Sequence, residues 1–232
     1  MIDFKKTLVS IVSVFLILVF TSTPILAQDS YEIPFDKLKT PTKLQDIIDT
    51  FDRLKYDFKA FNEGEKVQEL SIEFQYQGKE EVQGEEADKI SIETSTMQTV
   101  QTSQMIFWLN DGEIIKMVQN KQQIPLEMAN AMKDKMLQSV FFPFYHFDEL
   151  DLGAISSTGK VTKSQEMIGE KEVDITEIEG DDLAEYGLES GTIKLADFDK
   201  FMMAVSFDYI TLEEHEAQYK EGRFEVKEIE LR

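Results

Sequence analysis

The chain has 232 residues, no cysteine and a formal net charge of −21, from 45 acidic and 24 basic side chains. The lack of cysteine excludes disulfides, thiolate metal sites, a cysteine nucleophile and a cysteine-linked lipid anchor. The acids are spread along the chain, so the basic face that nucleic acid or an anionic lipid surface requires is not expected.

The first 27 residues read as a signal peptide. Lys5 and Lys6 precede an apolar run from Leu8 to Phe20, which only Ser10 and Ser13 interrupt. That run is shorter than the roughly 20 residues needed to span a bilayer. Ile25-Leu26-Ala27 resembles a peptidase site, so cleavage is expected after Ala27, placing the protein in the cell envelope, periplasm or medium. An uncut N-terminal membrane anchor is the alternative. No later segment approaches spanning length.

Residues 28–42, with Pro34 and Pro41, read as an extended leader, and 43–232 as a single α+β domain. Leu44, Ile47, Ile48, Phe51 and Leu54 recur at helical spacing, which predicts an amphipathic helix over 43–57. Beyond Gly64 the period becomes two. Leu70, Ile72, Phe74 and Tyr76 alternate with polar residues as a strand with one buried face. Ala87, Ile90 and Ile92 suggest a second strand. Met105, Phe107 and Leu109 alternate with Ile106 and Trp108, a strand covered on both faces. Asn110-Asp111-Gly112 is a hairpin turn, and Ile114 to Val118 is the return strand.

Ile124-Pro125 opens a second helix, which Pro143 ends. Strands follow at 161–167 and 173–178 around Gly169, then at 193–195, 201–210 and 224–231. In the last, Phe224 and Val226 share a face. The pattern then slips by one to Ile229 and Leu231, which predicts a bulge or fraying. The fold class expected is α+β, a curved antiparallel sheet packed on two main helices.

Met128, Met132 and Met136 repeat every four residues, so they share one helical face. The cluster Phe141 to Phe147 follows. Two readings stay open: a helix packed into the core, or a pliable apolar pocket, since unbranched methionine repacks easily around variable ligands. On the second reading, the ligand-binding residues are Met128, Met132, Met136, Phe141, Phe144, Trp108 and Met202.

Catalytic signals are absent. There is no nucleophile elbow, zinc-protease helix or dinucleotide fingerprint. Gly153 with Gly159-Lys160 misses the phosphate-loop spacing by one, and Val161 stands where a hydroxyl should be. His146 and His215 are the chain's two histidines, and Glu213-Glu214-His215-Glu216 is a weak metal signal. Carboxylate pairs such as Asp148-Glu149 and Asp181-Asp182 are common by chance among 45 acids. No metal, cofactor or enzymatic activity is expected.

The order of an export signal, the Leu44–Leu54 helix, the Leu70–Tyr76 strand and the Asn110-Asp111-Gly112 hairpin resembles the LolA-like lipoprotein-carrier superfold. That resemblance implies a curved sheet whose concave side is filled by the Met128–Phe147 helix and cluster. It implies binding of an apolar ligand, such as a lipid or the acyl part of a lipidated protein. No functional residue is carried over from it. The alternatives are an envelope interaction or sensor module without a small ligand, and a hydrolase using a carboxylate pair. N-terminal sequencing of the exported form is expected to begin at Gln28; a start at Met1 would instead make the chain tethered.

Overall fold

In the computed structural model, residues 33–34, 37–38, 44–96, 101–140, 152–180, 183–184, 187–213 and 219–232 are described; at 44, 101 and 134–140 this covers the backbone alone. Helix α1 (Leu44–Thr50) runs directly into β1 (Phe51–Asn62). Four hairpin-linked strands follow, β2 (Glu65–Val82), β3 (Glu85–Thr96), β4 (Gln101–Asn110) and β5 (Glu113–Gln119), then the short β6 (Gln122–Ile124). Helices α2 (Leu126–Val140) and α3 (Leu152–Thr158) lead to β7 (Lys160–Ile168), β8 (Lys171–Gly180), β9 (Leu188–Asp197), β10 (Met202–Thr211) and β11 (Glu221–Leu231).

All eleven strands form one antiparallel sheet in the order β6-β5-β4-β3-β2-β1-β11-β10-β9-β8-β7. Two meanders therefore meet at a single seam, where β1 pairs with β11. The sheet curls, so that Gly169 in the β7–β8 turn comes against Glu228 and Ile229 of β11. Sheet dominates over helix, where two main helices were expected.

The turns set how the strands of the first meander pair. Glu63-Gly64, Gln83-Gly84 and Asp111-Gly112 each place both central residues at positive φ. That is the backbone a two-residue hairpin requires, because its twist matches that of the strands. Alternation then fixes the faces. Leu54, Tyr56, Phe58 and Ala60 of β1, Ile72 and Phe74 of β2, Ile90 and Ile92 of β3, and Phe107 and Leu109 of β4 point into one core. Phe207 of β10 and Phe224 and Val226 of β11 join the same cluster. Each large aliphatic or phenylalanine side chain among them contributes about 1.5–3 kcal/mol on burial.

The predicted helix over 43–57 stops at Thr50. Ile47 and Ile48 are fully buried on α1, as helical spacing requires. From Leu54 onward the buried positions come every second residue. Leu54 fits both periods, so the change falls inside the apolar pattern rather than beyond Gly64. Arg232 closes the helix end: its backbone NH donates to Thr50 O and its Nη1 to Ile48 O, both at 3.1 Å. A cation there also suits the helix C-terminus.

The slip expected in the last strand is a bulge. Lys55 pairs with Glu228 and Tyr56 with Val226, so Lys227 is the extra residue. Gly153 and Gly159-Lys160 make no phosphate-cradling loop. Gly153 lies within α3, whose Leu152 and Ile155 are buried. A Cβ at Gly159 would meet Glu179 O at 2.3 Å, and Lys160 starts β7 paired to Glu179. Of the leader, Ile33 is buried, Lys37 pairs with Asp197 at 3.2 Å and Leu38 bridges to Met202.

Gly222 lies between Ala60 of β1 and Tyr209 of β10. The Tyr209 ring covers it, and a Cβ there would fall 2.2 Å from Tyr209 Cζ. Burial pushes the Tyr209 hydroxyl pKa up to about 12. Gly222→Ala is expected to lower stability by about 1–3 kcal/mol, the usual range for overpacking. In a Tyr209→Ala background the same change should cost almost nothing. Denaturant melts of the four chains measure this coupling, and additive losses would contradict it.

Candidate functional site

Helix α2 packs against the core face of the sheet beside β5. Pro125 O accepts the Ala129 NH at 3.0 Å, so Pro125 caps the helix and Leu126 begins it. Ala129 is fully buried, and its small side chain lets the helix approach Ile114 and Met117. Lys133 Nζ bonds to Glu113 Oε1 at 3.1 Å and Gly112 O at 3.4 Å, tying the helix to the β4–β5 turn.

With Ala129 and Lys133 turned to the sheet, the neighbouring face turns outward. Met128 is 55% exposed and Met132 45%, one helical turn apart; Leu126, 47% exposed, starts the helix on another side. Apolar residues grouped this way on a surface mark an interaction site more often than scattered ones do. The face that periodicity identified is therefore not the packed face.

The other predicted lining residues are placed as follows. Met136 continues α2, and its side chain lies outside the described residues, as do Phe141, Phe144, both histidines and the pairs Asp148-Glu149 and Asp181-Asp182. Met202 is buried in the main core at the start of β10, beside Leu38. Trp108 is on the opposite face of the sheet. It stands between Phe107 and Leu109, which point to the core, and period two turns it away. Met128 and Met132 thus come together, whereas Trp108 and Met202 do not join them.

Trp108 forms a separate cluster with Val82 and Ala87, flanked by Ile106, Ile115 and Val118. Cross-strand register puts Lys89 and Lys116 on either side of it. Their ammonium groups lie 5.2 Å and 4.0 Å from the ring centroid, within cation–π range. Lys89 also bonds to Glu80 Oε2 at 2.8 Å. That bond, helped by the nearby indole, holds the Glu80 carboxyl below its usual pKa. The indole Nε1 is buried with no hydrogen bond of ordinary geometry. The lysine–tryptophan–lysine row escaped sequence reading because it depends on the register of three strands, including an irregularity beside Trp108.

A cleft of about 610 Å³ opens at the β2–β3 and β4–β5 turns, lined by Lys79, Glu85, Glu86, Asp88, Asn110 and Asp111 among others. Internal bonds engage most of these groups: Lys79 with Glu86 at 2.7 Å, Asn110 with Glu85 at 3.0 Å and Tyr76 with Asp88 at 2.9 Å. Among the described residues no group of three or more histidines or acids is arranged to hold a metal. Nor is any described helix long and apolar enough to cross a membrane.

No family model matches the chain, and no curated protein matches its sequence. Among solved structures it is similar to a DUF1329 family protein from Desulfovibrio piger, at 7% identity and a TM-score of 0.24. The match covers 80% of this chain and 88% of that one. A likeness of that degree assigns neither fold nor function.

Trp108 is the single tryptophan, so its emission reports this cluster alone. Emission is expected to change as Glu80 protonates and releases Lys89, at a pH below the ordinary carboxylate range. Glu80→Gln should abolish that titration. A transition at an unshifted carboxylate pH, or one that survives in the variant, would count against the coupling.

Proposed function

We propose that the protein is a non-enzymatic, extracytoplasmic binding protein that takes the acyl chain of a lipid or lipidated protein against α2. The observation that carries this is the paired exposure of Met128 and Met132 on a helix otherwise anchored to the sheet. Long unbranched side chains at a surface adapt to a flexible hydrocarbon chain at little cost. On this reading Met202 and Trp108 serve the core and the outer face. A carrier of the LolA-like kind is the form of this activity that the sheet-and-helix layout suggests.

The second reading is an envelope interaction module without a small ligand. It is favoured by the same residues lying at the surface, where a partner's apolar segment can reach them. Thermal melts with and without a long-chain fatty acid separate the two. At a hundredfold excess over Kd a ligand stabilises by about 2.7 kcal/mol. For a domain of this size that raises Tm by about 5–10 °C. Met128→Glu/Met132→Glu is expected to remove the shift while leaving the unliganded Tm nearly unchanged, since both sites are exposed. An equal shift in the variant moves the ligand elsewhere, and no shift with any acyl ligand leaves the interaction module.

A further inference from the structure

We propose that Met128 and Met132 are an oxidation-sensitive pair, whose conversion to sulfoxides by a peroxide releases the apolar ligand from α2. This rests on the reading that α2 is where the ligand lies. The chain has no thiol to intercept an oxidant, so methionine carries all of its sulfur. The described methionines differ in exposure, with Met105 partly buried against the core between the extremes. Met128, Met132 and Met167 are 55%, 45% and 61% exposed, whereas Met117, Met202 and Met203 are 2%, 2% and 1% exposed. Two of the three most exposed methionines among the described residues thus occupy one face of α2, a single turn apart.

The step is an oxygen transfer. A thioether sulfur lone pair attacks hydrogen peroxide and the O–O bond breaks. Sulfur gains one oxygen and is oxidised by two electrons, and the peroxide is reduced to water. An apolar, pliable side chain becomes a polar one that needs a hydrogen-bond donor. Lys133, the cation tying down this stretch of helix, is already bonded to Glu113 and Gly112 O. Under a hydrocarbon chain the new oxygen would lose its contact with water, which weakens binding.

The test exposes the full exported chain to hydrogen peroxide, maps oxidised peptides by mass spectrometry and measures palmitate affinity. Met128 and Met132 are expected to oxidise at least about tenfold faster than Met117, Met202 and Met203. Palmitate affinity should fall about tenfold or more. A methionine sulfoxide reductase should restore it. Met128→Leu/Met132→Leu should bind palmitate and ignore peroxide, whereas Met167→Leu should stay as sensitive as the parent. Equal oxidation of the buried methionines, unchanged affinity after oxidation, or peroxide sensitivity in the leucine pair would overturn the proposal. If the reduced chain does not bind palmitate, the ligand reading fails by itself. The pair is then read through the dye ANS, which must be lost from the oxidised parent and kept by the leucine pair; unchanged dye binding would overturn it.

Discussion

The pairing of β1 with β11 is the contact on which the architecture depends. Every other neighbour in the sheet is a strand adjacent in sequence, joined within one meander. At the seam alone the two meanders become one sheet and one core. Phe58 lies opposite both Leu70 and Phe224, and the Tyr56 and Phe224 rings meet edge to face at 5.2 Å. On the outer face Arg53 bonds to Glu73 of β2 and Glu228 of β11, each at 2.7 Å, spanning the seam. Such partly exposed pairs are individually weak, yet one guanidinium bridging three strands also fixes register. The bulge at Lys227 and the ring over Gly222 are local solutions to the same requirement: two strands of different origin must lie flat together.

What α2 can do follows from this frame. The meander from β1 to β5 holds the β4–β5 turn in place, and Lys133 uses that turn as its anchor. Ala129 then sets how closely the helix approaches and which face it gives up to the sheet. The methionines are outward because a smaller residue won the buried position. Across β1 to β5 the sheet is two-sided, with a continuous core on one face and the Trp108 cluster on the other; at the start of β10, where Met202 to Val205 are all buried, both faces are covered.

Much of the strand pattern was legible. Period two in Leu70 to Tyr76, the Asp111-Gly112 turn and the one-residue slip before Ile229 all correspond to features of the sheet, because alternation on a half-buried strand is a strong signal. The join of α1 to β1 was not legible, since Leu54 satisfies both periods and no glycine or proline marks the change. The candidate site was legible only as a shared face. Spacing shows that Met128 and Met132 point the same way, but not whether that way is inward. Trp108 was read as covered, yet its assignment to a common pocket ignored the alternation that separates it from Phe107. Its lysine neighbours come from register, which a single strand cannot reveal.

The seam also sets the order in which the chain can assemble. Arg53 and Glu228 are 175 residues apart in sequence. Closing a loop of that length costs about 3 kcal/mol more than closing a tight hairpin. Hairpins within each meander form from local contacts, but β1 must wait for β11, which follows the nine other strands of the sheet. Topologies with such distant contacts fold slowly. Throughout that wait β1 presents an open edge, the kind of surface on which strands of other molecules add. Its outer face carries Arg53, Lys55, Asp57 and Lys59 at alternate positions. Those charges act before the native state exists, keeping an unfinished sheet from being completed by the wrong chain.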